Sequence, residues 1–194
     1  MRNEAVAWRG SAGHIWSLLV QGNRRWAAGK SHRPHQDPRR RKQLAGGQSP
    51  PAVVLSCIDS RVPPEVVFDV GLGDLLVVRT AAHTLDSLVT AAVQYGPQDL
   101  RASLVVVLGH QRCGAVTAAA RALRRRVTLP GELPSIVEAL QPAYDTAGGR
   151  VEPMVRAHIR QTVSHLRADR LLYGSATVIG AYYSLDTGLV SRVI

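Results

Sequence analysis

Two near-continuous apolar runs constrain this chain more than any other feature. Ala52-Val53-Val54-Leu55 leads into Cys57-Ile58-Asp59-Ser60-Arg61, and Leu104-Val105-Val106-Val107-Leu108-Gly109 delivers His110-Gln111-Arg112-Cys113-Gly114. Runs this short and this uniformly apolar read as strands buried on both faces. That is the habit of parallel sheets, whose two faces are covered by helices. Ligands bind such sheets at the carboxyl ends of the strands, where Cys57, His110 and Cys113 all fall.

The chain has only 2 cysteines. With no secretion signal in the opening Met1-Arg2-Asn3-Glu4-Ala5-Val6-Ala7-Trp8, a reducing compartment and a cytoplasmic location are expected, and metal ligation is favoured over a disulfide. Two thiolates and one imidazole make the three-protein-ligand set of a catalytic zinc, one ion per chain, with the fourth position left open. Cobalt or ferrous iron suits similar ligands. A His-x-x-Cys pair alone is a weak signal, but joined to Cys-x-Asp-x-Arg it is strong. Asp59 and Arg61, two residues apart, can pair through two parallel hydrogen bonds.

These residues resemble the β-class carbonic anhydrases, zinc enzymes that interconvert carbon dioxide and bicarbonate. The resemblance extends to Gly22-Asn23-Arg24-Arg25-Trp26, Gly47-Gln48-Ser49-Pro50, Gly73 to Ala81, and Gly180-Ala181-Tyr182-Tyr183-Ser184-Leu185-Asp186, in collinear order. It implies reversible hydration of carbon dioxide by a zinc-bound hydroxide. Because two thiolates place more negative charge on the metal than imidazoles would, the rate is expected to rise toward alkaline pH. It also implies two alternative roles for Asp59. Either Asp59 accepts a hydrogen bond from the zinc-bound water while Arg61 holds it, or it becomes the fourth metal ligand in a closed, inactive state.

By the same resemblance Gln48, Leu76, Ala81, Tyr95 and Gly114 line the substrate pocket. Leu76 stands where many relatives carry phenylalanine, which keeps the wall apolar and changes its shape. Arg79 matches the arginine of an inhibitory bicarbonate pocket, but Val54 replaces that pocket's tryptophan, so no bicarbonate switch is expected. His83 is read either as a proton relay or as a structural histidine, the latter favoured. Hydrolysis of carbonyl sulfide or carbon disulfide on the same scaffold is the alternative activity. A zinc-stabilised protein without turnover is a third reading.

The organisation expected is one α/β domain over residues 1–194. It comprises an N-terminal helical arm (1–28), a Pro-, Gly- and Arg-rich loop (29–51) and an α/β core (52–194) with a central, mostly parallel sheet flanked by helices. Trp8, Trp16 and Trp26 with Ile15, Leu18 and Leu19 give the arm an apolar stripe. The resemblance implies that this arm packs on a partner subunit and that the pocket is completed across the interface of a homodimer or a dimer of dimers. Helices are expected at Ser87–Gln94, Ala115–Arg126, Leu133–Ala143 and Val155–Arg170. A closing hairpin is expected at Ala176–Leu185 and Leu189–Ile194, whose last strand runs into the chain end and reads as a truncated or unusually short C-terminus.

The formal net charge of +10 draws on Arg39-Arg40-Arg41-Lys42 and on Arg121 with Arg124-Arg125-Arg126. These clusters lack interleaved aromatics, so they are read as solvated faces and no nucleic-acid partner is expected. No apolar stretch approaches the roughly 18 residues of a membrane span.

Overall fold

The computed structural model describes residues 10–194, which form a five-stranded sheet in the order β2-β1-β3-β4-β5. Its strands are β1 (Ala52–Cys57), β2 (Leu75–Thr80), β3 (Leu104–His110), β4 (Thr177–Tyr183) and β5 (Val190–Arg192). The first four run parallel and β5 is antiparallel to β4. Every residue of β1 and β3 is buried, as their unbroken apolar sequences require.

Helices connect the strands: α1 (Ala12–Ala27), α2 (Pro38–Leu44), α3 (Pro64–Val67), α4 (Ser87–Asp99), α5 (Gly114–Arg125), α6 (Leu133–Ala147) and α7 (Val151–Ala168). Helix α4 packs on β1 and β2, and α7 on β3 and β4. Small residues let α7 approach: a β-carbon at Gly109 would lie 2.7 Å from Ile159 Cδ1. Helix α4 runs past Gln94, where Gly96-Pro97 reads as a stop. Gly96 instead lets the helix press against Val53 and Leu76, and the packing carries it through Pro97 to Asp99. No helix among the described residues is long and apolar enough to cross a membrane.

One expectation is corrected. The segment 29–51 is not all loop: Asp37 caps α2 by accepting from the Arg40 backbone N–H at 2.9 Å, and Pro38 stands in its first turn. The segment is also pinned to the domain. Buried Asp69 accepts from Arg25 Nε (2.6 Å) and from the His32 and Arg33 amides, and buried Asp74 contacts His35 Nδ1 at 2.8 Å.

The described part of the arm, α1, packs on its own chain. Ile15 and Leu19 are buried, and Trp16 meets Phe68 edge to face at 6.3 Å. Trp26 Nε1 donates to the Tyr183 hydroxyl at 3.1 Å. Trp8 lies outside the described residues. The polar anchor is Asn23, a buried amide that donates to the carbonyls of Val67 (3.1 Å) and Gly188 (2.8 Å) and accepts from the Val190 amide (2.7 Å).

Replacing Asn23 with Ala strands three backbone groups, two of them carbonyls and one an amide. Asn23→Ala is expected to destabilise the protein by about 3 kcal/mol, read as a shifted denaturant midpoint. An unchanged midpoint would show that α1 is not anchored here.

Candidate metal centre and its surroundings

Parallel pairing of β1 with β3 aligns Ser56 with Leu108, so Cys57 and His110 emerge side by side at the carboxyl edge of the sheet. The chain then reverses through Arg112, a non-glycine residue at φ 50°, and returns Cys113 to the start of α5. As a result one ligand atom each from Cys57, His110 and Cys113 lies within 4.8 Å of the others, and all three residues are buried. The two cysteines are free thiols.

The donor set fits zinc on three counts. The sulfurs stand 3.8 Å apart, too far for a disulfide. Two thiolates each about 2.3 Å from a tetrahedral zinc would be separated by about 3.8 Å. The ring of His110 is also set: the Gln111 carbonyl, which can only accept, lies 3.0 Å from Nδ1, so Nδ1 carries the proton. That leaves Nε2 as the lone-pair nitrogen, and it is buried with no hydrogen-bond partner among the described residues.

The two sulfurs lie within hydrogen-bonding distance of each other. A hydrogen bond from Cys113, assisted by His110 and by the Ala82 amide (3.3 Å), holds the Cys57 thiol down at about 4 despite its burial. The same sulfur–sulfur contact, with burial, pushes Cys113 up, opposed by the amides of Ala115 and Val116 in the first turn of α5.

Asp59 and Arg61 pair as their spacing suggests. Arg61 Nε and Nη2 donate to Asp59 Oδ1 (2.8 Å) and Oδ2 (2.6 Å), and the Arg61 amide also donates to Oδ1 (3.0 Å). Chiefly through the Arg61 hydrogen bonds, the Asp59 carboxyl is held at about 2. Its Oδ2 lies 3.9 Å from His110 Nε2, so Asp59 stands beside the ligand group with both oxygens engaged by Arg61.

The five residues assigned to the substrate pocket divide between two ends of the sheet. Ala81 follows β2 directly, next to the Ala82 amide that meets Cys57. Gly114 follows Cys113, and a β-carbon there would meet nothing within 4 Å. Gln48 instead lines a cleft of about 650 Å³ with Pro51, Gly73, Asp74 and Ser103, the residues that lead into β1, β2 and β3. Cys57 lies at the far end of β1, roughly 16 Å away along the strand. Leu76 is the second residue of β2, paired with Val53, and half-exposed Tyr95 precedes Gly96, which packs on both. Gln48, Leu76 and Tyr95 therefore do not reach the ligand group of their own chain.

Other groups become legible only in three dimensions. Arg79 donates to the carbonyls of Cys57 (2.8 Å) and Asp59 (2.6 Å), fixing the segment that leaves the first ligand. Asp186 accepts from the Gln111 amide side chain (2.7 Å) and from the Arg112 guanidinium (2.6 Å). His83 is buried, stacked 4.7 Å from His158, and burial lowers its pKa well below the usual value; burial also takes His158 down to about 4. Neutral and enclosed, His83 has the structural character favoured above rather than that of a proton relay to solvent.

A profile of the carbonic anhydrase family matches residues 52–190. Carbonic anhydrase 2 of Mycobacterium tuberculosis is 39% identical over 183 residues, covering 89% of this chain and 88% of that protein. A carbonic anhydrase of Mycolicibacterium smegmatis is 40% identical over 185 residues, covering 90% of each. Among solved structures, a tetrameric β-carbonic anhydrase of Sordaria macrospora superimposes with a TM-score of 0.72 at 22% identity, over 91% of this chain and 95% of that one. A carbon disulfide hydrolase shares the fold at a TM-score of 0.54 and 17% identity, over 75% of this chain and 79% of that one. With the profile spanning most of its length and its Cys-His-Cys group formed, this chain belongs to the β-carbonic anhydrase family.

Proposed function

We propose that Asp59 and Arg61 are the catalytic pair of a zinc-dependent carbon dioxide hydratase, a lyase that also runs the reverse reaction. The observation that carries this reading is an ionised carboxylate, 3.9 Å from the orphaned Nε2 of His110, with both oxygens fixed by one guanidinium. Cys57, His110 and Cys113 would hold the zinc, which when bound lowers the pKa of water toward neutrality and so supplies a nucleophile at ordinary pH. Asp59 accepts the proton of that nucleophile in a hydrogen bond and so orients its lone pair. Arg61 keeps the carboxylate ionised and off the metal, which is the active of its two roles. The open space over Gly114, with Ala81 beside it, receives the small apolar substrate.

Gln48, Leu76 and Tyr95 act, in this proposal, from a second copy of the chain, which completes the pocket across a homodimer interface. Their placement away from their own chain's ligands supports this. Arg79, committed to two backbone carbonyls, and buried Val54 support activity without a bicarbonate switch. A cytoplasmic location completes the proposal. Hydrolysis of carbonyl sulfide or carbon disulfide is not favoured, since the likeness to a carbon disulfide hydrolase is one of fold alone.

Metal analysis with stopped-flow hydration tests the central reading. The wild type should carry about one zinc per chain and hydrate carbon dioxide much faster than it turns over carbonyl sulfide. Asp59→Ala should retain zinc and lose about a hundredfold or more in rate. Zinc without carbon dioxide turnover would sink the reading.

The pH profile has a defined sign. A carboxyl held at about 2 loses its charge only as pH falls through that value, so Asp59 stays ionised from neutral to alkaline pH. The rate should rise toward alkaline pH in the wild type and in Asp59→Ala alike. An alkaline rise that disappears in Asp59→Ala would contradict this assignment.

Complementation tests the shared pocket. Gln48→Ala and Asp59→Ala chains, each impaired alone, should recover roughly a quarter of the wild-type rate when co-assembled, because half of random dimers are mixed and each of those holds one intact site. No recovery from demonstrably mixed dimers would place Gln48 outside the site.

A further inference from the structure

The peptide group between Gln111 and Arg112 lies between the two ligands of the second motif, and both of its polar atoms are used. Its carbonyl accepts the Nδ1 proton of His110 at 3.0 Å. Its N–H, on Arg112, donates to Glu152 Oε1 at 2.8 Å. The other oxygen of Glu152 accepts from the Tyr182 hydroxyl. Tyr182 is buried in β4, and the Arg156 guanidinium covers its ring 4.0 Å from the centroid. Glu152 is thus held from behind, with one oxygen aimed at this peptide.

We propose that Glu152 is the outer carboxylate of the metal centre, a positioning residue that acts on His110 through the Gln111–Arg112 peptide. Metal-bound histidines commonly donate their second N–H to a carboxylate or a carbonyl, which fixes the tautomer and raises the basicity of the ligating nitrogen. Here a neutral carbonyl receives that proton. Hydrogen bonds in series polarise one another, so a negative charge on the amide side of the peptide makes its carbonyl a stronger acceptor. Glu152 supplies that charge two hydrogen bonds removed, and among the described residues no carboxylate contacts His110 Nδ1 directly. The same contact holds Arg112 at its positive φ, from where its carbonyl accepts Arg61 Nη2 at 3.2 Å. One carboxylate thereby reaches the imidazole on one side and the Asp59–Arg61 pair on the other.

The inference rests on zinc occupying the Cys57, His110 and Cys113 group, and its test separates the two ideas. Zinc affinity is measured by competition with a chromophoric chelator on the wild type, Glu152→Gln and Glu152→Ala, together with the Nδ1–H proton resonance of His110 in the zinc-loaded protein. Glu152→Gln keeps the shape and an oxygen for the Arg112 amide but removes the charge. It should weaken zinc binding by about tenfold, toward the loss expected of an outer-shell partner, and move the Nδ1–H resonance upfield. Glu152→Ala should weaken binding at least as much; if that variant fails to fold, the comparison of Glu152→Gln with the wild type decides alone. Wild-type affinity and an unmoved resonance in Glu152→Gln would make Glu152 a mere loop tether and overturn the inference while leaving the zinc reading intact. A wild type that binds no zinc would overturn both.

Discussion

Parallel pairing of β1 with β3 is the constraint from which the rest of the structure follows. It places Cys57 and His110 at adjacent strand ends although 53 residues of chain separate them. A shift of one residue in this register would turn every β3 side chain to the other face of the sheet. Burial of both strands on both faces, with valines throughout and Gly109 admitting Ile159, makes such a shift costly. The metal centre therefore inherits its precision from the core beneath it.

Beyond the strand ends the ladder continues for only one residue, through Ile58 to Thr80 and Gln111 to Tyr183, and side chains then take over. Arg79 clamps the carbonyls of Cys57 and Asp59. Arg61 locks Asp59 and reaches the Arg112 carbonyl, and Asp186 holds Gln111 and Arg112 from the turn after β4. These are charge-assisted contacts, the stronger kind of hydrogen bond. They also explain how Arg112 persists in a left-handed conformation between two ligands. The β-carbonic anhydrase centre is thus built from three short-range ligands and a ring of longer-range anchors drawn from β2, α7 and the β4–β5 turn.

Much of this was legible beforehand because it depends on local pattern. Apolar runs with a ligand at each end predicted β1, β3 and the Cys57, His110 and Cys113 group. The two-residue spacing predicted the Asp59–Arg61 pair. Alternation of strands with helices, and the apolar face of Val155, Ile159, Val163 and Leu166, predicted four of the helices to within about five residues at either end. For the arm, a helical apolar stripe states that it must be covered, not by what; α3 and the β4–β5 turn of the same chain cover part of it. Helix α2 went unread within an arginine- and proline-rich segment, although Asp37-Pro38 carries an ordinary start signal. Glu152 offered no signal at all: in the sequence it is one more acid in the first turn of a helix.

By itself the sequence pointed to which residues could hold a metal, to a carboxylate and a guanidinium beside them, and to a parallel sheet that presents them. Each of these follows from residue type and short spacing. Only the tertiary structure decided that Arg79 and Asp186 brace the segments carrying the ligands, that Glu152 meets the Arg112 amide, that His83 is sealed against His158, and that Gln48, Leu76 and Tyr95 lie away from the ligands of their own chain. Those relations depend on strand order and on which helix lies over which strand. Distance along the chain carries no record of that, because the packing that sets it is shared among many residues, none of which specifies it alone.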